Sequence, residues 1–115
     1  MHNSRNPAFG GHAPDPSEEN LQELAAVVRF GGFHLGLAVD GDADRYGILD
    51  RDGSFIEPNY ILALLLQHLI KTRGRQGGVA RSVATSHLVD AVARHLAVPV
   101  YETKVGFKYL GDLIT

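Results

Sequence analysis

The 115 residues contain no cysteine, no tryptophan and a single methionine. Without cysteine there can be no disulfide, no thiolate nucleophile and no sulfur-ligated zinc, a composition that suits a reducing compartment. Neither sign of charge dominates: eleven Lys and Arg against thirteen Asp and Glu leave a formal charge of −2, so no general affinity for nucleic acid or an anionic membrane is expected. The longest strongly apolar run, Ile61 to Leu66, falls far short of the roughly 20 residues that a membrane-spanning helix needs. No charged-then-apolar leader opens the sequence, and a cytoplasmic location is the expectation. What is present is an ordinary globular balance, 44% apolar and 21% charged, enough to bury a core in one domain or in pieces of two.

The first sixteen residues, with Gly10-Gly11 and prolines at 7, 14 and 16, carry neither helical nor strand period and read as a loop. Asp15 as N-cap, Pro16 at the first helical position and Glu18 three residues past the cap predict a helix start. Leu21, Leu24, Ala25 and Val28 continue it at amphipathic spacing until Gly31-Gly32. Leu35 to Val39 is expected as a buried strand, Tyr46 to Leu49 as a second, and Asp52-Gly53 as a hairpin turn into Phe55-Ile56. A helix is predicted from Asn59 to about Thr72; apolar all round at 61–66, it should be covered on more than one side, by a sheet and by another domain or subunit. Strand 79–83, helix 86–96 and strand 98–101 form a βαβ unit with parallel pairing, and a Gly-containing loop from Thr103 to Lys108 leads into a last helical segment. The class is therefore α/β, with too few strands for closed edges.

Asp40-Gly41-Asp42-Ala43-Asp44-Arg45 is the most informative stretch. In a straight strand the three carboxylates would share one face but stand about 7 Å apart, too far to chelate one ion. The loop must curl, and Gly41 and the small Ala43 permit it, bringing three hard oxygen donors together as Mg²⁺ prefers. With a divalent cation and Arg45 the local charge sums to zero, leaving room for a phosphate as the next ligand. Unneutralised, the three carboxylates would raise one another's pKa. An EF-hand fits poorly, because the sixth position holds Arg45 instead of Gly and the twelfth Arg51 instead of Glu. A solvated acidic turn is the plain alternative, and an Asp-nucleophile phosphatase using Asp40 or Asp42 the chemical one.

The string Leu37-Ala-Val-Asp-Gly-Asp-Ala-Asp-Arg-Tyr46 resembles the metal-binding loop of the α-D-phosphohexomutases, the phosphoglucomutase and phosphomannomutase family. Pro14-Asp-Pro-Ser-Glu-Glu-Asn-Leu21 is similar to the segment preceding that loop, Ala80-Arg-Ser-Val-Ala-Thr-Ser86 to the start of the next domain, and Tyr101-Glu-Thr-Lys-Val-Gly-Phe-Lys-Tyr109 to a substrate loop. The resemblance implies a three-layer α/β/α-type mixed sheet: residues 1–54 as the C-terminal part of the second of four domains, and residues 55–115 as the N-terminal part of the third. It implies Mg²⁺-dependent phosphoryl transfer between a phosphoserine and a hexose phosphate by way of a hexose bisphosphate. Asp40, Asp42 and Asp44 would hold the metal. Arg45 and Lys108 would serve catalysis, and Asp44, Arg45, Val105, Gly106 and Lys108 would meet the substrate, Val105 through its backbone alone. Hexose phosphate and hexose bisphosphate are the partners implied, with self-association through open sheet edges or helix 61–66 a further expectation.

The family's serine loop, Thr-Ala-Ser-His-Asn-Pro, does not occur in the 115 residues. Thr85-Ser86-His87 lacks the Asn-Pro and reads as a helix start with Ser86 as N-cap. The metal half-site thus stands without its phosphoryl donor, and the fragment alone is expected to be inactive. The six histidines show no ligand spacing for zinc. His87, Asp90 and Arg94 are expected together on a solvated helix face, and Arg81 in a surface ion pair or as a ligand.

Overall fold

Leu21, Ala25 and Val28 lie on one helical face, and all three are buried. They belong to the start and body of α1 (Gln22–Phe30), which the computed structural model, describing residues 4–114, places after a 3-10 turn at Phe9–Gly11. The helix ends where the sequence predicts, with Gly31 as C-cap and Gly32 in the left-handed region at φ +71°. It begins later than predicted. Asp15 caps nothing: residues 18–21 form turns, the Leu21 N–H donates to Ser17 O at 3.1 Å, and no side chain caps α1. The physical reason is Asn20, whose side-chain amide donates to Ala13 O and Asp15 O at 3.2 and 2.9 Å and holds the chain there in a strap instead of a helix.

Beyond α1, β1 (Leu35–Val39), β2 (Tyr46–Asp50) and β3 (Phe55–Ile56) make an antiparallel sheet in that order. Val39 pairs with Tyr46, so the acidic stretch 40–45 is the tip of the β1–β2 hairpin. Asp52 accepts from both the backbone and hydroxyl of Ser54, and Gly53 at φ +81° completes the predicted turn. Leu49, 1% exposed, is the centre of this core with Leu21 and Ala25; its truncation to Ala would cost ~2–5 kcal/mol. The expectation of a fully buried β1 is corrected. Gly36 and Ala38 face the helix, whereas Leu35, Leu37 and Val39 are half to two-thirds exposed, because α1 covers only one face of the sheet.

The chain divides into two compact units between Pro58 and Asn59. In the second, α2 (Pro58–Lys71) and α3 (Leu88–His95) pack with β4 (Val79–Ser82) and β5 (Val100–Thr103), which pair in parallel from Val79–Val100 to Ser82–Thr103. Leu66, Val89 and Ala93 form its core, bordered by Ile70, Val79 and Val100. A short helix, α4 (Phe107–Gly111), follows β5. In this chain α2 buries Ala63 and Leu66, and Tyr60, Leu62, Leu64, Leu65 and Leu69 stay exposed, since a two-stranded sheet covers one stripe of a helix; these are the residues that the expected second domain or subunit would cover. The architecture is α/β, antiparallel in the first unit and parallel in the second. No helix among the described residues is long and apolar enough to cross a membrane.

Candidate metal centre and substrate loop

A hairpin tip carrying three aspartates has to turn their side chains to one side, and the turn is made at Ala43. Its φ of +61° is left-handed, uncommon for a residue with a Cβ, and its N–H closes on Asp40 O at 3.3 Å. Gly41, expected to share the bend, lies outside the left-handed region. The result is convergence: Asp40, Asp42 and Asp44 each offer a carboxylate oxygen, and these three atoms lie within 4.8 Å of one another. Three hard oxygen donors at that spacing, two of them on exposed side chains, suit a divalent cation that keeps part of its water shell.

Arg45 organises the loop electrostatically. Its backbone N–H donates to Asp40 Oδ1 at 3.1 Å, and Nε to Asp40 Oδ2 at 2.8 Å. Asp44 Oδ1 stands 3.6 Å from the same Nε. Burial pushes the Asp40 carboxyl up, but the bonds from Arg45 outweigh it and hold the group below its ordinary value. Asp44 goes the other way: the charge of Asp42, then its contact with Asp40, raise it. The tip thus contains carboxylates in conflict, which a bound cation would relieve. Arg45 itself is raised, chiefly by its bond to Asp40.

Sequence reasoning missed Asp15 here. Its carboxylate accepts from Arg45 Nη1 at 2.8 Å across thirty positions of sequence, a long-range pairing that no local motif announces.

In the second unit, the loop after β5 carries the other expected residues. Gly106 has φ +131° and ψ +136°, a conformation that side chains rarely adopt, and a Cβ there would meet nothing closer than Tyr109 at 3.6 Å. Glycine is required by the backbone, not by crowding. Val105 and Lys108 are exposed, and Lys104 Nζ lies 5.9 Å from the centre of the Tyr109 ring. Ser86 plays the part of a cap residue, its hydroxyl accepting from the Leu88 N–H at 3.1 Å.

Arg81 departs from the surface position expected of it. It is 6% exposed and forks onto Asp90, with Nε–Oδ1 at 2.5 Å and Nη2–Oδ2 at 2.6 Å; Nη1 reaches Glu102 at 2.8 Å. Asp90 is drawn inward with it, so the solvated face predicted for His87, Asp90 and Arg94 is not formed as such. His87 remains exposed and touches Asp90 at 2.7 Å. The fork from Arg81, then the His87 contact, hold the Asp90 carboxyl well below its usual range, and Arg81 is raised in turn.

Comparison with known proteins fits this arrangement. Residues 1–53 match the family described as phosphoglucomutase/phosphomannomutase, alpha/beta/alpha domain II, and residues 57–115 match alpha/beta/alpha domain III of the same family. Phosphoglucomutase-like protein 5 of Homo sapiens is 37% identical over 110 residues, covering 92% of this chain and 19% of its own length. Phosphoglucomutase 1 of Drosophila melanogaster is 36% identical over 119 residues, covering 99% of this chain and 21% of its own. Among solved structures, a phosphoglucomutase/phosphomannomutase family protein from Burkholderia thailandensis superposes with a TM-score of 0.83 at 25% identity, covering 99% of this chain and 25% of that one. The open form of parafusin, a phosphoglucomutase from Paramecium, gives 0.73 at 32% identity over 96% of this chain and 21% of its own. The chain spans only 19–21% of the curated relatives it matches, and within that span it is consecutive portions of domains II and III that agree. This chain belongs to the phosphoglucomutase/phosphomannomutase family.

Proposed function

We propose that the chain supplies the magnesium loop and part of the sugar-phosphate site for intramolecular phosphoryl transfer between the 1- and 6-positions of a hexose phosphate. The observation that carries this reading is the convergence of Asp40, Asp42 and Asp44 on one point beside Arg45. Magnesium held there would stabilise the charge that gathers on phosphoryl oxygens during transfer. Arg45 adds a fixed guanidinium, suited to a phosphate oxygen by its fork of donors. Gly106, whose conformation excludes a side chain, lets the substrate loop bring backbone close to a sugar phosphate, and Lys108 brings a cation. Asp44 borders both tasks, as the ligand nearest to Arg45 Nε after Asp40.

An Asp-nucleophile phosphatase is less well supported. Both oxygens of Asp40 already accept bonds from Arg45, which lowers their nucleophilicity. The domain limits at 1–54 and 55–115, cytoplasmic location, and hexose phosphates and bisphosphates as ligands form part of the same proposal. Because the phosphoserine loop does not occur in these residues, the chain alone is expected to give no turnover. The test is a titration with a hexose 1,6-bisphosphate, followed by backbone amide NMR with and without Mg²⁺. Shifts at Asp40–Arg45 and at Lys104–Lys108 that require Mg²⁺ support the reading; saturable binding that leaves both loops unmoved contradicts it.

A further inference from the structure

Resting on that reading, we propose that Asp15 is a positioning residue for Arg45: it holds the guanidinium at the mouth of the acidic loop, so that one edge stays turned toward an incoming phosphate. The hydrogen bonds of Arg45 carry the inference. Nε goes to Asp40 and Nη1 to Asp15, both at 2.8 Å, and Nη2 has no acceptor among the described residues. Asp40 lies on the same loop as Arg45. Asp15 comes from the strap before α1, and the two carboxylates grip the planar group from separate parts of the first unit.

The strap is built to deliver that carboxylate in one place. Asn20 fixes the backbone on either side of Pro14 through Ala13 O and Asp15 O. Pro16 is buried. A Cβ on Gly47, two residues after Arg45, would lie 2.6 Å from both Pro16 O and Leu21 Cδ1; the strap therefore rests directly on β2 where a side chain is missing. Close contact at Gly47 sets the spacing between Asp15 and Arg45.

As a stabilising pair, Asp15 and Arg45 would count for little, since their side chains are 43% and 59% exposed. What the pair removes is rotamer freedom in a long side chain. Released from Asp15, Nη1 would also be free to turn to Asp40 and Asp44, which Nε already approaches, and the guanidinium would fold further onto the groups that are to hold the cation. By engaging Nη1, Asp15 limits the hold of the guanidinium on the metal-binding carboxylates to Nε.

Two measurements on the 115-residue chain test this. In the metal-free chain, side-chain ¹⁵N NMR reports rotation of the Arg45 guanidinium about Nε–Cζ; Asp15→Asn should speed it several-fold, and Asp15→Glu, which keeps the charge, should leave it near wild type. In the Mg²⁺-loaded chain, Asp15→Asn should weaken inorganic phosphate binding about five- to tenfold while Arg45 is present, and less than about twofold in an Arg45→Gln background. Unchanged rotation, an equal loss in both backgrounds, or a loss in Asp15→Glu as large as in Asp15→Asn overturns the proposal while leaving the mutase reading intact. A chain that restrains Arg45 through Asp15 yet binds neither Mg²⁺ nor phosphate overturns the mutase reading, and with it the task given to Asp15.

Discussion

Arg45 and Arg81 each sit between carboxylates, and they differ in what is left over. Arg81 is buried, and its fork, its remaining nitrogen and its neighbours Asp90 and Glu102 form a closed set. Arg45 has a side chain 59% exposed, shares a loop with more anions than it can neutralise and has one nitrogen, Nη2, with no acceptor among the described residues. The same guanidinium–carboxylate chemistry serves architecture in one unit and leaves a charge imbalance in the other. The closed cluster binds protein to protein; the open one is suited to bind something else.

The largest expected effect separates the two by stability. Arg81→Met keeps the apolar stem, strands Asp90 without its partner and should lower the melting midpoint of the second unit by more than about 10 °C. Arg45→Met leaves the buried Asp40 carboxylate with the backbone N–H of residue 45 as its donor from that position, and should lower the first unit by a smaller amount, about 5 °C. Thermal unfolding followed at the amides of Val89 and Leu49 reads the units separately, and equal shifts would erase the distinction.

Acid titration gives the next contrast. Asp90 is held below the ordinary carboxylate value by Arg81 and then His87, while Asp44 is raised by Asp42. A depressed folded-state pKa means that the contribution of Asp90 is complete above the unfolded value of about 3.9 and is lost as pH falls through the lower, folded one. Carboxyl ¹³C NMR should therefore find Asp44 protonating before an ordinary aspartate and Asp90 after it. The second unit should keep its Arg81–Asp90 pair down to pH values below the usual aspartate range. Asp90 titrating at its ordinary value would contradict the closed cluster.

The smallest effect concerns the backbone of the open cluster. Ala43→Gly should stabilise the first unit by about 1 kcal/mol by relieving the left-handed φ. Gly41→Ala, whose Cβ would meet only Phe9 at 3.6 Å, should stay within about 0.5 kcal/mol of wild type. Urea unfolding of both variants checks the pair, and a reversed order would place the bend at Gly41 after all.

The parts of the fold legible in the sequence are those governed by local chemistry. The Gly31-Gly32 stop, the Asp52-Gly53 turn, the parallel pairing of β4 with β5 and the gathering of Asp40, Asp42 and Asp44 all follow from short-range pattern. What escaped was set by partners distant in sequence. Asp15 has the look of a helix cap until Asn20 and Arg45 claim its backbone and side chain. Arg81 reads as a surface residue until Asp90, nine positions on, turns inward to meet it. The bend was expected at Gly41 and Ala43 together and falls in the left-handed region at Ala43, not Gly41; the hydrogen bonds from Arg45 to Asp40, beyond the reach of a propensity argument, hold the alanine there.

Calorimetric titration of Mg²⁺ into the chain and its variants tests the open cluster most directly. One saturable site should appear, weakened at least about tenfold by Asp42→Ala and changed less than about twofold by Asp90→Asn. An Asp42→Ala chain that remains folded and binds Mg²⁺ as wild type does would contradict a shared cation at the hairpin tip.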